Sequence, residues 1–146
     1  TIGFDPIISA EEAAKSNIEW MTLEQIWPLA DYITLHVPFI PKKTENMINS
    51  ETLSKCKRGV RIVNVARGGI IDEPQLLAAL DDGRCSGVAL DVFLEEPPKD
   101  WSLVDHPLTI ATCHLGASTK EAQTRVAEEI ADNIVQLNNG TALLGA

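Results

Sequence analysis

The chain has 146 residues, 45% of them hydrophobic, with 12 basic against 21 acidic residues and a formal net charge of −9. A chain of this length buries about two-thirds of its unfolded surface, so a real core is possible. The acidic balance argues against nucleic acid and anionic membranes as partners. The sequence shows no signal segment and no apolar run near the roughly 20 residues that span a bilayer.

The three cysteines, Cys56, Cys85 and Cys113, are odd in number, far apart and without a CxxC pair. This spacing indicates neither a disulfide framework nor a metal site. The sequence therefore predicts a reduced, cytoplasmic protein.

Short apolar runs alternate with helical patterns, which predicts an α/β fold of parallel strands joined by crossover helices. The expected strands are residues 1–5, 32–36, 60–66, 87–93 and 108–114. The middle strands are rich in Val and Ile, as strands covered on both faces should be.

Capping patterns predict where the helices begin. Residues 9–12, 22–25 and 118–121 each have Ser or Thr followed three residues later by Glu or Gln, the form of a capping box. Asp72 followed by Pro74 predicts another helix that ends near Gly83, and Pro28 is expected to cut the second helix short.

The longest helical pattern runs from Ser118 to about Asn139. Its apolar residues form one stripe: Ala122, Val126, Ile130, Ile134 and Leu137. Such a stripe is typical of a helix that packs on a core, so we expect it to be buried.

Polar side chains end or follow every expected strand: Asp5, His36, Arg67, Asp91 with Glu96, and His114. In an open parallel sheet, ligands bind at this edge because loops and helix N-termini meet in a crevice there. Gly68 and Gly69 let the backbone turn away close behind Arg67. The pattern therefore predicts a ligand site at the carboxyl ends of the strands.

Taken singly, these residues also have structural interpretations. Arg67 would lie in an exposed turn, and His36 would be structural. Asp5 would cap the following turn, Asp91 would hold a loop, and Glu96 would form a solvated pair with Glu95. His106, in an Asp-His-Pro turn, is expected to be exposed. A functional role is favoured over these structural interpretations because all of the strand-end residues are expected at the same edge of the sheet.

Three segments, NVARGGIIDE, ALDVFLEEPP and HLGASTKEAQ, occur in this order. Together they resemble the nucleotide-binding domain of the D-2-hydroxyacid dehydrogenases, and the resemblance covers essentially the whole chain. FDPIIS and HLGASTKEAQ are similar to the branch that oxidises 3-phosphoglycerate to 3-phosphohydroxypyruvate in serine biosynthesis. The resemblance implies a Rossmann-like, doubly wound parallel sheet and NAD as the cofactor.

The resemblance implies a catalytic set of Arg67, Glu96 and His114. Histidine titrates near neutral pH, so it can take the hydroxyl proton in oxidation and return it in reduction. Glu96 would stabilise the imidazolium and fix its tautomer. Arg67 would present a planar fork to the substrate carboxylate and carbonyl oxygens, a task that lysine fits poorly. These side chains are expected to converge around the nicotinamide.

The resemblance also assigns a cofactor-binding set: Asp5, Pro6, His36, Val37, Pro38, Val65, Ala66, Arg67, Asp91, His114, Gly116 and Ala117. The Asp5 carboxylate would accept hydrogen bonds from the adenosine ribose and repel a 2′-phosphate, which favours NAD over NADP. Val37 departs from the family pattern, which often has Thr or Ser there, so one hydroxyl contact is in doubt.

The glycine fingerprint GxGxxG is absent from the sequence. We therefore expect residues 1–146 to form a partial NAD-binding domain that lacks the first strand-helix unit, with the substrate domain absent. The lacking strand is expected between the strand ending at Asp5 and the one ending at Ala66. The full-length protein is expected to be a homo-oligomer, with Trp101 and Leu103 as exposed candidates for the contact.

Two other functions remain open. A sister enzyme acting on glyoxylate, hydroxypyruvate or another 2-keto acid would show the same Arg67, Glu96 and His114. So would a non-enzymatic NAD-sensing module like the C-terminal-binding corepressors. A formate dehydrogenase is disfavoured, because that branch carries Gln where this chain has Glu96.

Overall fold

The computed structural model describes residues 1–140. Their elements are β1 (Ile2–Gly3), α1 (Ala10–Lys15), β2 (Glu19–Trp20), α2 (Leu23–Ile26), β3 (Tyr32–Leu35), α3 (Ser50–Lys55), β4 (Val60–Asn64), α4 (Glu73–Asp81), β5 (Cys85–Leu90), β6 (Thr109–Ala111) and α5 (Lys120–Asn138). They form two compact units, Thr1–Thr112 and a second that starts at Cys113, which are described separately.

The first unit contains a four-stranded parallel sheet in the order β3-β4-β5-β6 and a separate parallel pair of β1 with β2. All five expected strands are present, which confirms the parallel α/β architecture. Each ends earlier than expected because its last residues leave the ladder for the loops of the carboxyl edge. The two-residue β2 and the short α3 were missed, since neither is long enough to show a period.

The expected position of the lacking strand is wrong. The strand that leads to Ala66 is β4, and β4 has β3 on one side and β5 on the other. Both of its edges are hydrogen-bonded, so no further strand fits beside it. Within the described residues, the edge of the four-stranded sheet that faces away from β4 belongs to β3.

The helix starts of the first unit follow the capping patterns. The Ser9 hydroxyl accepts from Glu12 N at 3.2 Å, and the Gln25 side chain accepts from Thr22 N at 3.0 Å. Pro28 follows α2 closely, as expected for a shortened helix. The Asp72 carboxylate caps α4, which ends two residues before Gly83.

The core of the first unit lies between the sheet and α3 and α4. Its fully buried large side chains include Ile48, Leu53, Ile62, Ile70 and Leu76. They come from β4, α3, α4 and the segments leading into the helices, so the core fixes the strand ends that carry the candidate site.

Two exposure predictions on the loop before β6 are wrong. The His106 side chain is only 12% exposed, because Nδ1 accepts from Leu108 N at 3.1 Å and Nε2 lies 3.5 Å from Asp81 Oδ1. Leu103 is buried in the core, whereas Trp101 is 53% exposed. The loop packs on its own unit through Leu103.

In the second unit, α5 is the single helix or strand among residues 113–140. Its N-cap is Thr119, whose hydroxyl accepts from Ala122 N at 3.1 Å, and not Ser118 as expected. The expected burial of the apolar stripe is wrong, because Ile134 and Leu137 are 62% and 65% exposed. A lone helix has no surface within its own unit to cover its stripe. No helix among the described residues combines the length and apolarity needed to cross a membrane.

Candidate active site

The loop after β4 places Arg67. Asn64, 2% exposed, donates from Nδ2 to Arg67 O at 3.0 Å and accepts at Oδ1 from Ala66 N at 3.1 Å. The Arg67 and Val65 side chains are exposed, while Ala66 packs against the core. Sequence reasoning missed Asn64. Its signal was a single amide at the end of a strand that is otherwise apolar on its buried face.

The loop after β4 touches the loop after β5. A Cβ atom at Gly68 would lie 1.9 Å from Phe93 O, so only glycine allows this approach. Gly69 has φ of +76°, a left-handed conformation that glycine adopts without strain. The glycines therefore bring the backbone that follows Arg67 against the backbone that precedes Glu96.

The Glu96 loop is held by hydrogen bonds to its own backbone and to α4. Phe93 N donates to Glu96 Oε1 at 3.1 Å, and Leu94 N donates to Glu73 Oε1 at 2.6 Å. Burial raises the pKa of Glu73, the nearby Asp72 charge adds to the rise, and the Leu94 N–H opposes it. Sequence reasoning did not single out Glu73.

Asp91 ties together the ends of three strands. It is 5% exposed, accepts from Thr112 Oγ1 at 2.5 Å, and donates from its backbone to Asn64 O at 3.0 Å. The structural interpretation of Asp91 as a loop holder is therefore correct. Its expected contact with the cofactor stays a prediction.

Asp5 ends the first strand as a turn cap. Its Oδ1 accepts from Ile7 N at 2.7 Å and from Ile8 N at 3.2 Å, and Pro6 lies within the same turn. The Trp20 indole donates to Asp5 O at 3.1 Å, a link that sequence reasoning missed. The two bonds to Oδ1 orient the Asp5 carboxylate, and its expected contact with the ribose stays a prediction.

The segment after β3 carries His36, Val37 and Pro38. His36 is exposed, and its Nε2 lies 2.9 Å from Thr34 Oγ1. Val37 packs against the core, while Pro38 O accepts from Thr44 Oγ1 at 2.6 Å. The Val37 side chain is partly buried and cannot donate a hydrogen bond.

The remaining site residues, His114, Gly116 and Ala117, lie in the second unit before α5. His114 has φ of +59°, which is uncommon for a residue other than glycine. Ser118 N donates to Leu115 O at 2.9 Å, and Gln123 Nε2 donates to Ala117 O at 2.6 Å. The meeting of His114 with Arg67 and Glu96 stays a prediction.

Two cysteines of the first unit are poor candidates for chemistry. Burial raises the pKa of Cys56 to about 11, with a small contribution from Cys85. Burial also raises the pKa of Cys85. Both thiols are therefore protonated at neutral pH, and a protonated thiol is a weak nucleophile.

The family model described as D-isomer specific 2-hydroxyacid dehydrogenase, NAD binding domain, matches residues 1–116. The chain belongs to this family. That membership confirms NAD as the cofactor and the Rossmann-like sheet as the fold, both expected from the resemblance.

The chain is similar in sequence and in structure to several named dehydrogenases. The chain is 55% identical over 145 residues to D-3-phosphoglycerate dehydrogenase of Rattus norvegicus, a match that covers 99% of this chain and 27% of that protein. It is 50% identical over 143 residues to D-3-phosphoglycerate dehydrogenase of Bacillus subtilis, a match that covers 98% of this chain and 27% of that protein. The apo structure of Rhodotorula graminis D-mandelate dehydrogenase superposes with a TM-score of 0.87 at 29% identity, over 98% of this chain and 42% of that one. The chain thus spans about a quarter of the length of the curated relatives it matches.

Proposed function

We propose that this chain is a portion of an NAD-dependent D-3-phosphoglycerate dehydrogenase, which oxidises 3-phosphoglycerate to 3-phosphohydroxypyruvate in serine biosynthesis. The observation that carries the proposal is 55% identity to the rat enzyme across nearly the whole chain. The contact between the Arg67 and Glu96 loops supports it, because it places the backbone segments that carry two of the three proposed catalytic side chains next to each other.

In the proposed mechanism, Arg67 orients the substrate. Its exposed guanidinium would bind the carboxylate in two hydrogen bonds and stabilise negative charge on the reacting oxygen. His114 would take the hydroxyl proton at its ring nitrogen, and Glu96 would stabilise the resulting imidazolium. NAD, when bound, supplies the acceptor for the hydride that leaves the same carbon.

In the proposed placement, NAD would bind along the carboxyl edge of the sheet. Asp5 supplies an oriented carboxylate at the ribose end, whereas Val65 and Ala66 lie on the nicotinamide side in the proposed placement. His36, Val37 and Pro38 would lie along the cofactor between these ends. Asp91 would lie near the carboxamide, with Gly116 and Ala117 closing over the ring.

We further propose that residues 1–146 are a partial NAD-binding domain and that other residues supply the substrate domain. Two observations support this. The chain covers 27% of its named relatives. Among the described residues, β3 pairs with β4 alone. The open edge of β3, rather than an edge of β4, would then receive the first strand of the domain.

The substrate is tested with the full-length gene product that carries this chain. We expect NADH production from 3-phosphoglycerate with a kcat/KM at least about tenfold above that for glycerate, and reduction of hydroxypyruvate and glyoxylate to be slower than that of 3-phosphohydroxypyruvate. Preference for the unphosphorylated acids would support the sister enzyme instead. Capture of peptides without turnover would support the corepressor-like module.

The isolated 146-residue chain is the control, and robust NADH production by it would contradict the partial-domain proposal.

Replacing Asp5 with asparagine should lower the preference for NAD over NADP by about tenfold, mainly through a higher KM for NAD. Asparagine keeps the oxygen that accepts from Ile7 N, so the turn survives while the charge that repels a 2′-phosphate is lost. The measurement is kcat/KM for both cofactors. Asp31→Asn, which removes an exposed carboxylate paired with Lys57, is the matched control. An unchanged NAD preference in Asp5→Asn would contradict the role of this carboxylate.

We also propose that the full-length protein is a homo-oligomer in the cytoplasm. The exposed Trp101 supports an apolar contact with a second subunit, while the burial of Leu103 removes it as a candidate.

A further inference from the structure

Glu73 reaches across the fold to the loop that carries Glu96. It is the first residue of α4, and its Oε1 accepts from Leu94 N at 2.6 Å across a separation of 21 residues. A hydrogen bond to an ionised acceptor is stronger than a neutral one. Leu94 lies two residues before Glu96, so this bond fixes the backbone next to a proposed catalytic carboxylate.

The other contacts of this loop leave one side of it open. On one side, Phe93 O lies against Gly68, and Phe93 N donates to Glu96 Oε1. On the other side lies a cleft of about 220 Å³, whose lining includes Glu73, Leu77, Leu94, Pro98 and Leu103. The Leu94 side chain is 68% exposed, so its packing contributes little to holding the loop in place. With open space beside it, the loop is held from the α4 side by the Glu73 carboxylate.

Burial of the Glu73 carboxylate is unfavourable in itself. Desolvation raises its pKa above the ordinary value of a glutamate, and Asp72 adds to the rise. A folded-state pKa above the unfolded one gives stability that is present at low pH and lost as pH rises through the folded-state pKa. The hydrogen bond from Leu94 N opposes this rise in the Glu73 pKa, so the contact that holds the loop also favours the charged form of the carboxylate.

We propose that Glu73 is a positioning residue for the dehydrogenase reaction, which sets the place of Glu96 by holding Leu94 N. The inference rests on the proposed function of Glu96 as the partner of His114. Glu73 acts through the backbone of residues 93–96 and touches neither substrate nor cofactor.

The test compares Glu73→Ala with Glu73→Gln in the full-length gene product. Alanine removes the acceptor, whereas the glutamine amide oxygen can still accept from Leu94 N. We expect Glu73→Ala to lower kcat about tenfold, below the roughly hundredfold that a 1 Å misplacement can cost, with KM for NAD changed by less than about twofold. Glu73→Gln should retain kcat within about threefold of the unmodified protein. Glu95→Ala, which removes a neighbouring carboxylate paired with Lys99, is the control and should leave kcat unchanged.

The pH profile of kcat/KM for 3-phosphoglycerate oxidation separates positioning from general loosening. If Glu96 is displaced, the imidazolium of His114 is less stabilised, so the acidic limb of the profile should move to lower pH in Glu73→Ala. Glu96→Gln should move the limb the same way and further, and Glu73→Gln should not move it.

Specific outcomes would overturn the inference. One is a Glu73→Ala protein with unchanged kcat and pH profile; another is a Glu73→Gln protein as impaired as Glu73→Ala. If Glu73→Ala does not fold, an impaired Glu73→Gln alone decides against the role. Failure of the proposed function looks different, because the unmodified protein would then fail to oxidise 3-phosphoglycerate.

Discussion

Replacing His114 with asparagine should lower kcat for 3-phosphoglycerate oxidation by about a thousandfold, because general acid-base catalysis typically contributes 10²–10⁴-fold. Asparagine does not titrate near neutral pH, so no side chain would take the hydroxyl proton. It tolerates the left-handed conformation that His114 adopts at φ of +59°. The backbone before α5 should therefore persist, and KM for NAD should change by less than about threefold.

Steady-state kinetics of the full-length gene product measures this effect. His106→Asn is the matched control, because His106 is held by Leu108 N and Asp81 at the far end of the loop before β6 and should alter stability rather than kcat. The same loss of kcat in both variants would point to general damage. A His114→Asn protein with kcat within tenfold of the unmodified one would contradict the proposed role of His114.

Local sequence signals predicted the elements of the sheet well. The apolar run of β4 predicted a central strand, and β4 lies between β3 and β5. The expectation that β4 is covered on both faces is wrong, because Arg61 is exposed. Asp72 and Pro74 show the start of α4 because a cap and an N-terminal proline act within one turn of the helix. The order of strands was less accessible, since pairing joins segments that no local pattern connects, and the lacking strand was therefore misplaced.

The residues of the candidate site also fall into two groups, those that were predictable from the sequence and those that were missed. Arg67 and Asp5 were predictable as residues that follow strands. The described sheet that contains β4 does not include β1, so the meeting of these two residues at one edge stays a prediction. Asn64, Trp20 and Glu73 were missed, because what they do is hold the backbone of another residue. Asn64 acts over a few residues, but Trp20 and Glu73 act across 15 and 21 residues, and such bonds appear only once the chain is folded.

The α5 stripe shows a different limit of sequence reasoning. Its period correctly predicts an amphipathic helix, but a period does not say which surface covers the apolar face. Within the described residues of its own unit no other element is present, so the stripe stays exposed there. The period of apolar residues depends on the helix sequence alone, whereas burial depends on which other surfaces pack against the helix.

Replacing Gly68 with alanine should have the largest effect on stability. The added Cβ would lie 1.9 Å from Phe93 O and 2.9 Å from Leu94 N, and both are backbone atoms that cannot rotate away. Overpacking of this kind costs about 3 kcal/mol, the upper part of the usual range. At about 2–4 °C per kcal/mol for a chain of this size, the midpoint of thermal unfolding should fall by roughly 6–12 °C.

Gly87→Ala is the matched control, since a Cβ there would meet Leu108 O at 3.6 Å, an ordinary contact, within a regular strand. Thermal unfolding followed by circular dichroism compares the two variants. Equal midpoints for Gly68→Ala and the unmodified protein would mean that the loops after β4 and β5 do not touch as described. If Gly68→Ala folds, kcat should fall more than in Glu73→Ala, because the substitution separates the Arg67 and Glu96 loops, whereas loss of the Glu73 bond frees only one of them.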